Sequence, residues 1–169
     1  PIIACLIGVA ATFANQPDLP SPAVRIQVGP GHGSGVHIGN GYIITAAHVV
    51  TDNKTVEIKT EDGKTVEAAV LWTNKDADVA LLSVEGLSVK AATLDCRDPA
   101  VGTHIHATGN PLSLEFIRTW GRVASTATKR GPWTKAFIAD ISAAGGMSGG
   151  PVYDARNRVV GIIVGVAVR

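Results

Sequence analysis

The chain has 169 residues, 46% apolar and 17% charged, with a formal net charge of +1. That balance excludes a disordered polyelectrolyte and gives no call on nucleic acid. Two cysteines, Cys5 and Cys96, are too few for a disulfide framework or a zinc site, so a core held by packing, without metal or cofactor, is expected.

Position 1 is Pro rather than Met, as in a processed product or a fragment. Residues 2–14 carry no charge and lead into the proline-rich run 15–22. The stretch is short against the about 20 apolar residues of a membrane span. It fits the apolar region of a secretory signal cleaved after Ala11 or Ala14, or a membrane tether, and equally a buried N-terminal strand. Residues 1–21 are therefore set apart from a domain over 22–169. A signal would place the protein outside the cytoplasm, secreted or periplasmic.

From Ala23 the chain reads as short strands between turn signals, and 19 Gly with 9 Pro fit an all-β domain. Ala23–Val28 alternates and is stopped by Gly29-Pro30-Gly31. Gly35–Ile38 and Gly41–Thr45 flank Gly39-Asn40-Gly41, a hairpin signal that needs positive φ. Ala46–Val50 is the best candidate for a short helix. Val56–Lys59 and Thr65–Leu71 flank Glu61-Asp62-Gly63, a second hairpin, and Val79–Val84 is an apolar run fit for a buried strand. The first barrel is thus expected over about 22–88 and a mixed connection over 89–98. Candidate strands of a second barrel, about 99–169, are His104–Thr108, Leu114–Thr119, Gly121–Ser125, Ala136–Ile141, Pro151–Tyr153 and Val159–Val168. Residues 1–98 carry 7 Lys/Arg against 11 Asp/Glu, net −4, and residues 99–169 carry 8 against 3, net +5; halves of opposite charge that pack together account for this more simply than an anion site.

The chemistry concentrates in Gly145-Gly146-Met147-Ser148-Gly149-Gly150-Pro151. A serine among glycines can sit on a sharp turn that exposes Oγ and aims the amides of Gly146 and Ser148 at one spot, as an acyl-transfer oxyanion requires. The same residues spell the elbow of α/β-hydrolases, but no His follows Ser148, so that order of partners fails. The opposite order needs a histidine and a carboxylate upstream. His48 ends an apolar strand and two small residues, Ala46-Ala47, and Asp78 opens the run Asp78-Val79-Ala80-Leu81-Leu82. A carboxylate at the mouth of a buried strand must be paired, and Nδ1–H of His48 would pair it. Asp76, beside Lys75, competes for that role but reads as solvated.

Gly33-Ser34-Gly35-Val36, the Ala-Ala-His segment, Asp78–Leu82, Val101-Gly102 through Gly109-Asn110-Pro111, Gly121–Ser125 and Asp140–Pro151 occur in the order and spacing of HtrA-type proteases. The chain resembles that family over about residues 22–165. The resemblance implies two antiparallel β-barrels of the chymotrypsin type, with the C-terminal one shortened because relatives continue beyond the last strand. It implies His48 as general base, Asp78 as its orienting carboxylate, Ser148 as nucleophile, and Gly146 and Ser148 as oxyanion donors acting on polypeptide substrates. Asp140 also matches a family position. Met147 stands where digestive relatives have Asp, so capture of a new N-terminus by a salt bridge is not expected. The pocket for the residue before the scissile bond would be lined by Ser142, Ile163, Val164 and Val166, which favours small or medium aliphatic side chains. By analogy with relatives, residues 2–13 could support an oligomer. The rival reading is a catalytically silent protease fold used as a binding scaffold.

The remaining candidates have simpler readings. His104 and His106 share one strand face but have no third ligand. Trp72, Trp120 and Trp133 read as core or rim, His32 and His37 as loop residues, Cys96 as a small buried apolar residue, and Lys129-Arg130 as a solvated turn.

Overall fold

The computed structural model describes residues 20–166. The readings of residues 2–14 as signal, tether or strand fall outside the described residues. Seven short elements build the first half: β1 (Ala23–Val28), β2 (Gly31–Gly39), β3 (Tyr42–Thr45), α1 (Ala47–Val50), β4 (Thr55–Lys59), β5 (Thr65–Asn74) and β6 (Val79–Ser83). The strands close into a barrel in the order β1-β2-β3-β6-β5-β4.

All three turn signals join paired strands, the third by Lys59 against Thr65. Val28 pairs with Gly31 across Gly29-Pro30, and Gly39 pairs with Tyr42 across Asn40-Gly41. Gly41 has φ 75°, and a Cβ there would run into the Val84 carbonyl, so glycine is required on both counts. Closure turns one face of each strand inward. β4 alternates, burying Val56 and Ile58, and β6 buries Ala80 and Leu82 while Val79 and Leu81 stay half-buried. Val24, Ile26, Ile43, Val50, Ile58 and Leu82 are fully enclosed in this core. Each contributes about 1.5–3 kcal/mol by leaving water.

The second half comprises β7 (Thr93–Leu94), β8 (His104–Gly109), β9 (Ile117–Val123), β10 (Thr128–Arg130), β11 (Trp133–Ala136), β12 (Ala139–Asp140), β13 (Pro151–Asp154) and β14 (Arg158–Ile162). Among the described residues it is an open six-stranded sheet, β12-β9-β8-β13-β14-β7, with β10 and β11 as a separate ribbon. Ile105, Ala107, Val123, Met147, Val152 and Ile163 form its core. Val36 of the first half packs with Tyr153 and Val159 of the second, joining the two. Ion pairs between the halves include Glu61 to Arg118 at 3.2 Å, in the sense of the net charges, and Lys59 to Glu115 at 2.7 Å, in the opposite sense.

Several local readings need correction. The expected break between Leu114–Thr119 and Gly121–Ser125 is absent, because β9 runs unbroken along β8 from Gly109↔Ile117 to His104↔Arg122. Gly121 sits inside it because a Cβ would collide with the Asp140 carbonyl of β12, the close approach that a mid-strand glycine often marks. The connection is not irregular throughout, since β7 adds to β14 in parallel. His32 and His37 lie on β2 rather than in a loop, Lys129-Arg130 belongs to β10, and Cys96 is exposed rather than buried.

Candidate active site

β3 delivers the chain to Ala46 and Ala47, which are 0% and 5% exposed; their small side chains let α1 lie tight against the barrel. His48 then projects an imidazole that is 48% exposed. Asp78 stands just before β6 in a left-handed conformation, φ 54°, which Asp tolerates better than most side chains. Its carboxylate is buried, yet three donors reach it. The His48 backbone N–H donates to Oδ1 at 2.9 Å, His48 Nδ1 to Oδ2 at 2.7 Å, and Trp133 Nε1 to Oδ2 at 3.4 Å. These bonds offset the desolvation of a buried anion. They also fix the imidazole tautomer, because an ionised carboxylate only accepts, so Nδ1 carries the proton and Nε2 the lone pair. Asp76 is exposed and takes part through its backbone, accepting from Thr134 N–H at 3.1 Å.

Ser148 lies on the turn between β12 and β13, and the turn abuts the start of α1: a Cβ on Gly149 would come within 2.8 Å of Ala46 N. Gly149 has φ 81°, and its N–H donates to the Ile163 carbonyl at 2.6 Å. Met147 is 1% exposed and anchors the turn in the second core, an apolar plug where an ion pair would need a partner. Gly146 has φ 98°. Every carbonyl from Gly145 to Ser148 accepts a hydrogen bond. The amides of Met147, Gly149 and Gly150 donate, whereas those of Gly146 and Ser148 have no acceptor among the described residues. Two unused amides around one serine are the donor type that an anion cradle uses.

Of the residues read as pocket walls, Ser142 is exposed, Ile163 is 8% exposed with its side chain in the second core, Val164 is half-buried and Val166 is 51% exposed. The Trp133 indole lies over Gly165, where a Cβ would come within 2.9 Å of the ring. Trp133 therefore touches both the Asp78 carboxylate and this segment, a position that no local sequence signal discloses. Trp72 and Trp120 are exposed, and His106 stacks on Tyr153 with ring centroids 4.9 Å apart. Asp140 is exposed and pairs with Arg122 through β12.

The chain is similar in sequence to DegP-like serine endoproteases. A periplasmic serine endoprotease, DegP-like, of Halomonas elongata is 31% identical over 134 residues, 77% of this chain and 28% of its own length. One of the same name from Pseudomonas fulva is 32% identical over 157 residues, 89% of this chain and 32% of its own. The chain thus spans about a third of the length of these curated relatives. Among solved structures, an inactive form of Rv3671c from M. tuberculosis superposes with a TM-score of 0.76 at 25% identity, covering 87% of this chain and 76% of that one. Residues 33–162 match the family described as the trypsin-like peptidase domain, and this chain belongs to that family.

Proposed function

We propose that this chain is a serine endopeptidase that cleaves polypeptides through an acyl-enzyme, with Ser148 as nucleophile, His48 as general base and acid, and Asp78 as the carboxylate that orients it. One observation carries the reading: Asp78 holds the His48 imidazole at 2.7 Å on the short helix whose start abuts the Ser148 turn, and the amides of Gly146 and Ser148 on that turn have no acceptor among the described residues. His48 Nε2 takes the Ser148 hydroxyl proton as Oγ bonds to the substrate carbonyl carbon. The carbonyl oxygen becomes an oxyanion and accepts from the amides of Gly146 and Ser148. His48 then passes its proton to the departing amine, and water, deprotonated by the same nitrogen, hydrolyses the ester. Asp78 stays ionised and stabilises the transient imidazolium.

The same reading extends to the substrate pocket. No carboxylate stands at Ser142, so a Lys or Arg side chain would lose hydration without a partner. Ile163 turns into the second core rather than the pocket, so the aliphatic wall falls to Val164 and Val166, with the Trp133 indole over Gly165 between them. The names of the relatives place them in the periplasm, and the same compartment is proposed for this protein. A fluorophosphonate probe tests the activity: covalent labelling of the wild type that disappears in Ser148→Ala is expected. A wild type that stays unlabelled, or a Ser148→Ala variant that labels equally, would leave the silent scaffold as the better reading.

A further inference from the structure

The motif Gly33-Ser34-Gly35-Val36 and the Asn110 of Gly109-Asn110-Pro111 have no role in the chemistry described so far. Both residues are completely buried, Ser34 at 0% and Asn110 at 0%. Ser34 comes from β2 of the first barrel, and Asn110 follows β8 of the second sheet. Their polar atoms form a closed set. Asn110 donates to Ser34 Oγ twice, from its backbone N–H and from Nδ2, each at 3.0 Å. Asn110 Oδ1 accepts the Phe116 N–H at 3.0 Å, which settles which way round the amide lies. A hydroxyl has two lone pairs and one proton. With both lone pairs taken, the proton of Ser34 has one place to go, the Gly146 carbonyl, 2.8 Å away. The backbone N–H of Ser34 meanwhile donates to the Ser148 carbonyl at 2.8 Å.

One serine thus grips the nucleophile turn on both sides of Met147. A peptide plane has its N–H and C=O in opposite directions, so holding the carbonyls of Gly146 and Ser148 fixes the planes that bracket the Ser148 amide. The third constraint is the Leu112 N–H, which holds the Gly145 carbonyl at 2.8 Å and so directs the Gly146 amide the other way. Gly146 is pressed against the same group: a Cβ there would collide with the Asn110 carbonyl and with His32 Nε2, which itself bonds that carbonyl at 2.8 Å. A glycine at φ 98° could otherwise rotate its peptide freely.

We propose that Ser34 and Asn110 are positioning residues for the oxyanion donors: Asn110 directs the single Ser34 hydroxyl proton onto the Gly146 carbonyl, and that bond keeps the amides of Gly146 and Ser148 convergent. The inference rests on the peptidase reading and extends it to residues that never touch substrate. It makes an unusual demand of Asn110→Asp. A carboxylate in that place accepts rather than donates, so it draws the Ser34 proton to itself and releases Gly146 while leaving Ser34 intact.

The test compares wild type, Ser34→Ala, Asn110→Asp and the double variant on a fluorogenic peptide, with active sites counted by fluorophosphonate titration. Loosening two donors costs less than deleting one, so Ser34→Ala is expected to lower kcat about 10- to 100-fold with KM within about twofold. Affinity for a peptide aldehyde, whose adduct oxygen occupies the oxyanion site, should fall by the same factor. The pH at which kcat/KM rises should not move, because the pair His48–Asp78 is untouched. The double variant should be no worse than the poorer single, since both remove one and the same bond. Ser34→Ala with kcat per active site within twofold of wild type, a loss confined to KM with aldehyde affinity retained, or additive losses in the double variant would each overturn the proposal. If the wild type does not label, the peptidase reading has failed. The crystal structure of Ser34→Ala then decides the inference alone: a rotated Gly146–Met147 peptide upholds it and an unchanged one refutes it.

Discussion

Replacing Asp78 by Asn tests the proposed triad at its least substitutable point. The amide has one oxygen, and the structure determines where it must lie. Oδ1 accepts the His48 backbone N–H at 2.9 Å, a donor that cannot be reoriented, so the oxygen of Asn remains there. The NH2 group then replaces Oδ2 and faces His48 Nδ1 across 2.7 Å, while Trp133 Nε1 loses its acceptor. Donor opposite donor is repulsive, and the imidazole escapes by moving its proton to Nε2. That tautomer cannot accept a proton from Ser148. The same exchange in the template Ser-His-Asp triad costs about 10⁴ in kcat, equivalent to about 5.4 kcal/mol of barrier, and a similar loss is expected here at neutral pH. The measurement is kcat on a fluorogenic peptide with active sites titrated, alongside a thermal melt to show that the variant is folded. Asp76→Asn is the control, expected to stay within about threefold because Asp76 is exposed and contributes its backbone carbonyl. Retention of more than a tenth of the wild-type rate by Asp78→Asn, or a larger loss in Asp76→Asn, would refute the reasoning.

Trp133→Phe keeps a ring over Gly165 but removes the 3.4 Å donor to Asp78. A long bond to a charged acceptor is at the low end of the scale, so kcat/KM should fall about three- to tenfold. An unchanged kcat/KM would remove Trp133 from the site. A pH effect arises far from it. Asp95 is held well below the usual carboxylate range by its hydrogen bonds to Arg97, with Arg158 2.8 Å away. Burial pushes Asp154 up, but its bonds to the Arg158 backbone and guanidinium outweigh this and lower it. Depressed carboxylates contribute stability above pH 4 that is lost as pH falls through their folded values. Arg158→Ala should therefore lower the urea midpoint at pH 6, with the gap to wild type narrowing as pH falls below 4 through the depressed folded values, and a pH-independent gap would contradict this. In a peptide library read by mass spectrometry, cleavage should follow Val, Ala, Ile and Leu broadly, because a methylene is worth only about 1–3 kcal/mol; predominant cleavage after Lys or Arg would sink the pocket assignment.

Much of this protein was legible along the chain because its signals are local. Gly39-Asn40-Gly41 needs positive φ whatever surrounds it, and the structure has φ 107°, 52° and 75° there. Alternation in Val56–Lys59 follows from the pleat. The candidate triad was readable for a related reason: Ala46-Ala47 before His48, a lone Asp78 before an apolar run, and glycines around Ser148 are each short patterns with a chemical purpose. What the chain could not disclose depends on who approaches whom. Gly121 looks like a strand break until β12 is brought against it, and His32 and His37 look like loop residues until β2 is seen to extend back to Gly31. Trp133 reaches Asp78 across 55 positions, and Ser34 reaches Gly146 across 112. Such contacts are set by how two half-molecules dock, through Val36 against Tyr153 and Val159. The residue types that can do the chemistry were thus written locally, whereas the hydrogen bonds that aim them exist only after closure, because a donor acquires its acceptor from a segment that the pattern around it says nothing about.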